Sequence, residues 1–341
     1  MTWIVHKFGG SSLADAACFR RVRSILRDRG SETAVVVSAV GGVTDKLLGL
    51  GGMKSAAERE AALDGIVQQH EAIARDLMPE DAVARYVETL QADLTEIRGT
   101  IGSDLVWGAS SVALTDLIAG FGELWSARLL AATMQADGVD AGWLDARKVL
   151  VVHRSTLGAG VEWDESRKRL GEWLESNMHD LIVITGFIAS DTAGQVTTLG
   201  RNGSDYSASI FAALLGASEV DIWTDVSGIM NADPRRVPDA TVISTMTYDE
   251  AMELAYFGAQ VIHPQTMSPA LEYDIPIVIR STFEPEAPGT RIQRDAGDGK
   301  PVKGVTTFDD VSLINLEGSG MIGVPGTARR LFAALGEAGI S

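Results

Sequence analysis

A chain of 341 residues, 45% of them hydrophobic and 22% charged, has the makeup of a soluble globular protein long enough for about two domains. Its formal net charge of −17 argues against a nucleic-acid or anionic-membrane surface. The single cysteine, Cys18, cannot close an internal disulfide, no apolar run is long enough to span a bilayer, and the start lacks the pattern of a signal peptide, so a cytoplasmic setting is expected.

In chain order, the first expected strand covers residues 3–8 and runs into KFGGSS. A helix follows at 16–28, where Cys18, Val22, Ile25 and Leu26 fall at helical spacing. The β-branched run at 34–38 ends in SAVGGVT and repeats the order strand, glycine turn, helix. Residues 56–137 read as mostly helical, with Gly99, Gly102 and Gly108 as the few turn signals. Strands return at 149–152, 181–185, 219–224 and 275–279, with helical patterns between them. This alternation indicates an α/β protein whose mainly parallel central sheet carries helices on both faces. A first domain is expected over 1–295. Residues 296–341 hold a linker, within RDAGDGKPVKG, and the start of a second domain whose one strand and one amphipathic helix cannot close a core.

Ligands of α/β sheets bind beyond the carboxyl ends of the strands, which directs attention to four stretches. Lys7 precedes Gly9, Gly10, Ser11 and Ser12, where the glycines permit either a plain turn or close approach of the backbone to a ligand. SAVGGVT offers Ser38, Gly41 and Thr44; Thr44 reads as a helix cap, or with the free amides of a helix start as an anion site. In TTLGRNGSDYSA, Ser204 reads as an N-cap and Asp205 as a first-turn acid favoured by the helix dipole whatever its function. Arg201 has no such local reason, and its planar fork suits a carboxylate or phosphate. The long loop WTDVSGIMNADPRR carries Thr224, Asp225, Met230 and Arg235 and serves either as turn chemistry or as a nucleotide site. Glu123, on an apolar helical face, needs a partner, either Arg128 or the ammonium of a ligand.

The sequence has no GxxxxGK[ST] loop, HExxH, CxxC pair or GxSxG elbow, and its five histidines are scattered, so no protein-built metal site is expected. GSGMIG at 318–323 matches GxGxxG, but no second strand with an acidic ribose ligand follows it.

Together the four stretches, with YDEAMELAYFGAQVIHP, resemble the aspartate kinases of the amino-acid kinase fold over residues 3–292. The motif set is especially similar to the kinase portion of bifunctional aspartate kinases, and the tail resembles the start of an ACT-type regulatory domain. The resemblance implies transfer of the ATP γ-phosphoryl group to the side-chain carboxylate of L-aspartate, the first step toward lysine, threonine and methionine. ATP and Mg²⁺ are the implied cofactors, an amino-acid effector at the ACT region and a homodimer the implied partners, and neither nucleic acid nor membrane is implied. It assigns Lys7 and Asp205 to catalysis, with Asp205 orienting either Lys7 or the substrate amine. Ser38, Thr44, Glu123, Arg201, Ser204 and Asp205 would surround aspartate, Glu123 accepting its ammonium. Lys7, Gly9, Gly10, Ser11, Gly41, Thr224, Asp225, Met230, Arg235 and Gln260 would bind ATP. The chain departs from the family at Met230, commonly tyrosine, and at Gln260, commonly lysine; the second removes a positive charge near the phosphates, which either lowers ATP affinity or is offset by Arg235 and Arg236. Two other readings are a carboxylate or carbamate kinase of the same fold and an amino-acid-sensing module without turnover.

Overall fold

The computed structural model describes residues 2–27, 32–107, 112–155, 158–200, 202–256, 262–296, 302–307, 314, 316 and 325–340. Their strands are β1 (Ile4–Phe8), β2 (Thr33–Val37), β3 (Ala141–Leu144), β4 (Val151–Ser155), β5 (Gly158–Val161), β6 (Leu181–Thr185), β7 (Ile188–Asp191), β8 (Val196–Thr198), β9 (Glu219–Thr224), β10 (Thr245–Thr247), β11 (Ile277–Ser281) and β12 (Thr290–Gln293). The helices are α1 (Ala16–Arg27), α2 (Val43–Gly49), α3 (Ala56–Leu77), α4 (Glu80–Trp107), α5 (Val112–Ala136), α6 (Trp163–Ser176), α7 (Gly203–Leu215), α8 (Tyr248–Tyr256), α9 (Pro264–Glu272) and α10 (Thr327–Glu337).

The main sheet has the order β10-β12-β11-β9-β1-β2-β6-β3, and every neighbouring pair is parallel except β11 with β12. Its inner strands β2, TAVVV, and β6, LIVIT, are buried along their whole length, as expected of parallel strands covered on both faces. Helix α7 packs on β1, β2 and β9, while α5 packs on β2, β3 and β6 and reaches β7 and β8. Those two belong to a small sheet of order β5-β4-β7-β8. In α5, Trp125, Ala127, Leu129, Leu130 and Met134 are all buried, so its apolar residues encircle the helix instead of forming one stripe.

The buried Asp221 of β9 is paired with side chains of the neighbouring strands. Asp221 accepts from Arg280 Nε at 2.8 Å and lies 3.2 Å from His6 Nδ1. Burial opposes its ionisation, but the hydrogen bonds and charges of His6 and Arg280 prevail and hold the carboxyl below its ordinary range. The other histidines also have local partners: His70 bonds Tyr86 Oη, His153 pairs with Glu162, His179 with Asp140, and His263 caps α9.

The expected strands at 181–185 and 219–224 coincide with β6 and β9. Two others are shifted by two residues: β4 begins at Val151, because a 3-10 turn occupies Ala146–Lys148, and β11 begins at Ile277. Gly99 and Gly102 lie inside α4 and turn nothing, whereas Gly108 lies outside the described residues.

The chain divides into units Met1–Thr306 and Thr307–Ser341. The first continues past residue 295 because Lys303 Nζ lies 2.8 Å from Glu250 Oε2 and Val305 N–H donates to Asn231 O. In the second, α10 buries none of its residues, and most of the expected strand VSLINL lies outside the described residues. Among the described residues no helix is long and apolar enough to cross a membrane.

Candidate active site

Parallel pairing brings the ends of β1, β2, β6 and β9 to one edge. Lys7 stands beside Val36 and Ile222 in register, and beyond the strands Ser38 N–H donates to Phe8 O and Gly186 N–H to Val37 O. Glycine makes the approach of α7 possible there. A Cβ on Gly186 would lie 2.8 Å from Val37 O and 2.8 Å from Ser204 Cβ, so another residue would push the start of α7 off the sheet.

A cavity of about 500 Å³ opens at this edge, lined by Lys7, Ser38, Thr44, Leu48, Glu123, Phe187, Gly200, Asn202, Gly203, Ser204 and Asp205. Lys7 is its only cation among the described residues, and the Lys7 Nζ is 2.5 Å from Asp205 Oδ1. Ion pairing at that distance fixes the ammonium at the cavity wall. Asp205 occupies the first turn of α7, where the helix dipole also favours its charge.

Glu123 lies opposite in character. It projects from α5, is 3% exposed, and receives one hydrogen bond, from Ala39 N–H to Oε1 at 3.3 Å. Its Oε2 has no hydrogen-bond partner among the described residues. Burial without a counter-charge pushes its carboxyl up to about 8. Arg128 does not supply that charge: its Nη1 is bonded to Asp93, which also accepts from Trp125 Nε1 at 2.9 Å, and its guanidinium lies over the Trp143 ring. Arg128, the structural alternative for Glu123, is thus committed elsewhere.

Two expected caps are also corrected. The N-cap of α7 is Asn202 in a left-handed conformation, with φ 58°, and Ser204 is already helical. The N-cap of α2 is Gly42, φ 77°, so Thr44 sits within the first turn. In both cases the backbone closes the helix start through a left-handed residue, which frees Ser204 and Thr44 to line the cavity.

Six expected residues thus meet: Lys7, Ser38, Thr44, Glu123, Ser204 and Asp205. Arg201 and Gln260 lie outside the described residues. Of the expected nucleotide set, Gly9 adjoins Lys7, since a Cβ there would be 3.3 Å from Nζ. Gly10 and Gly41 pack together, a Cβ on Gly41 falling 3.1 Å from Gly10 O. Ser11 O accepts from Cys18 Sγ. Thr224 leaves β9 alongside the end of β1 and donates its hydroxyl to Asp225. Half-buried Met230 bridges to Val242, and exposed Arg235 pairs with Asp233 at 2.9 Å.

Phe187 was not expected here. It has φ 67°, uncommon for an aromatic residue, and is held by its N–H to Ser207 Oγ at 2.9 Å and by Leu199 N–H to its carbonyl at 2.8 Å. The signal for it was its place just after the strand at 181–185. Its ring fills the space where Gly203 has no side chain, a Cβ there falling 2.7 Å from Cδ2 and 3.3 Å from the Phe187 Cα. Gly203→Ala is expected to cost about 1–3 kcal/mol through this overpacking, read as a lowered urea midpoint with unchanged m-value.

A family model described as the amino acid kinase family matches residues 2–281. A bifunctional aspartokinase/homoserine dehydrogenase, chloroplastic, of Daucus carota is 44% identical over 99% of this chain and 38% of its own length. The chain thus spans about two fifths of the length of such bifunctional relatives. Lysine-sensitive aspartokinase 3 of Escherichia coli (strain K12) is 34% identical over 99% of this chain and 74% of its own. The crystal structure of E. coli aspartokinase III in complex with aspartate and ADP superimposes with a TM-score of 0.76 at 35% identity, covering 87% of this chain and 65% of that one.

Proposed function

The chain belongs to the amino acid kinase family and within it to the aspartokinases, and from this premise we propose that it transfers the γ-phosphoryl group of ATP to the side-chain carboxylate of L-aspartate. The observation that carries the assignment to this site is the presence in one cavity of Lys7 and of a buried Glu123 whose Oε2 has no hydrogen-bond partner among the described residues. Free aspartate brings an ammonium, the counter-charge that Glu123 lacks among the described residues, and two carboxylates.

The side-chain carboxylate of aspartate has an unperturbed pKa of about 3.9, so at neutral pH it attacks without a general base. Its oxygen forms a bond to the γ-phosphorus as the bond from that phosphorus to the bridging oxygen breaks, and ADP leaves. No proton moves in that step. The barrier is the approach of two anions, so positioning and neutralisation carry the catalysis. Lys7 would offset the charge on the transferring group, with Asp205 holding its ammonium in place beforehand. Glu123 would take the α-ammonium, Arg201 the α-carboxylate, and Ser38, Thr44 and Ser204 would supply hydroxyls. Gly9, Gly10, Ser11 and Gly41 would admit the phosphates closely, and Thr224, Asp225, Met230, Arg235 and Gln260 would face the rest of the nucleotide.

Among the described residues no group of three or more His, Cys, Asp or Glu could hold a metal. Mg²⁺ fits as part of the nucleotide complex, with phosphate oxygens and water as its ligands, and there it would neutralise phosphate charge. Regulation by an amino acid through the ACT-like tail, assembly as a homodimer and a cytoplasmic location belong to the same proposal.

Hydroxylamine trapping tests the reaction. With Mg-ATP, aspartate is expected to give the hydroxamate of an acyl phosphate, and glutamate and acetylglutamate little. Preference for either of the latter would reassign the acceptor, and no product from any of the three would overturn a kinase role.

A further inference from the structure

Gln69 lies on α3, outside the cavity and outside every motif singled out in the sequence. Its Nε2 donates to Gly41 O at 3.0 Å across 28 residues of chain, and its Oε1 accepts from Lys46 Nζ at 2.8 Å. One side chain therefore ties α3 to both the second glycine loop and α2.

The bond falls on a pair of glycines. The peptide joining Gly41 to Gly42 has a glycine on each side, so rotating its plane costs little unless something holds it. In a trans peptide the C=O and N–H point in opposite directions. Fixing Gly41 O toward Gln69 turns Gly42 N–H to the other side, and that N–H makes no backbone hydrogen bond among the described residues. Gly41 itself is packed between Ala14 Cβ and Gly10 O, each 3.1 Å from where its Cβ would lie, so the peptide Gln69 holds abuts the first glycine loop and, through Gly9, the Lys7 ammonium.

We propose that Gln69 is a positioning residue for the phosphoryl donor: its amide locks the Gly41–Gly42 peptide so that the second glycine loop presents an N–H toward the nucleotide phosphates. This rests on the proposed kinase reading and extends it to a residue of α3. Gln69 touches neither substrate; it acts through Gly41.

The test compares Gln69→Glu, which keeps the shape and the Lys46 contact but loses the donor, with Gln69→Leu, which loses both, and with Lys46→Met, which leaves the Gly41 bond intact. ADP binding is measured by titration, alongside the KM for Mg-ATP and for aspartate and the thermal midpoint. From the worth of one hydrogen bond, ADP affinity and the Mg-ATP KM are expected to worsen roughly two- to tenfold in both Gln69 variants. The KM for aspartate should stay within about twofold, as a donor-specific role requires, and Lys46→Met should match wild type on the proposed geometry. A purely structural role would move both KM values and the midpoint together, and that result would overturn the proposal, as would unchanged ADP affinity in either folded Gln69 variant. If wild type binds ADP but transfers no phosphoryl group, only the kinase reading fails; if it does not bind ADP, both fail.

Discussion

Lys7→Met is expected to lower kcat by roughly a thousandfold while the protein stays folded, the scale found when one preorganised donor is removed from a developing anion. The reason is local. Lys7 is the only cation among the described residues that line the cavity, it is 9% exposed, and the reaction brings a carboxylate to a triphosphate beside it. Methionine keeps most of the stem and so preserves the packing against β2 and β9. It also leaves Asp205 without its partner, which adds a stray negative charge. The double variant Lys7→Met with Asp205→Asn separates the effects. Loss of the ammonium alone predicts that the double variant stays as slow as the single one, whereas recovery of turnover would assign the defect to the unpaired carboxylate. Lys7→Arg should not match the wild-type rate, because a planar guanidinium fork does not reproduce the compact point charge of the ammonium paired with Asp205. Circular dichroism and the thermal midpoint establish folding, and hydroxamate formation gives the rate.

Glu123→Gln is expected to have effects of opposite sign on binding and stability. An amide cannot neutralise an ammonium in a buried place, so the KM for aspartate should rise by roughly a hundredfold or more, a loss of the size of a truncated buried charge pair. Stability should move the other way at alkaline pH. Burial raises the Glu123 carboxyl from 4.5 to about 8, so the folded free protein binds a proton that the unfolded chain has already released. Between those two values the wild type therefore loses stability as pH rises, and above the upper one the full cost of a buried unpaired carboxylate remains. Glutamine does not titrate. The thermal midpoint of Glu123→Gln should accordingly exceed that of wild type near pH 9 and approach it near pH 5. In wild type the aspartate KM should fall as pH rises toward 8, by at most about tenfold per unit, because only the ionised carboxylate accepts the ammonium. A pH-independent KM in wild type, or equal midpoints at pH 9, would show that Glu123 is not buried and neutral in the free protein.

The central fold was legible where burial on both faces writes a continuous apolar run, as in TAVVV of β2 and LIVIT of β6. It was not legible at β3, AGWL, a four-residue edge strand with a glycine inside it, nor in β7 and β8, which belong to the small sheet and are too short for alternation to show. Cap residues misled for a related reason. Ser204 and Thr44 have the chemistry of N-caps, but Asn202 and Gly42 adopt left-handed backbone and take that position, a choice of main-chain geometry that side-chain preference does not report. The site was legible in part as a set of strand ends, because parallel register brings Lys7 and Ser38 to one edge whatever the loops do. What the sequence left open was the partner of Glu123. Arg128 is five positions away on the same helix, and only the three-dimensional fold shows it committed to Asp93 on α4. Phe187 and Gln69 act through backbone placement, one by a left-handed φ and the other by a hydrogen bond across 28 residues, and neither leaves a pattern at helical or strand spacing.

Calorimetric titration of aspartate at pH 7, repeated in buffers of different ionisation enthalpy, measures the protons exchanged on binding. Release of close to one proton per aspartate by wild type, and of none by Glu123→Gln at saturating aspartate, is expected if the buried carboxyl gives up its proton to receive the ammonium. Equal proton release by the two proteins, or none by wild type, would contradict it.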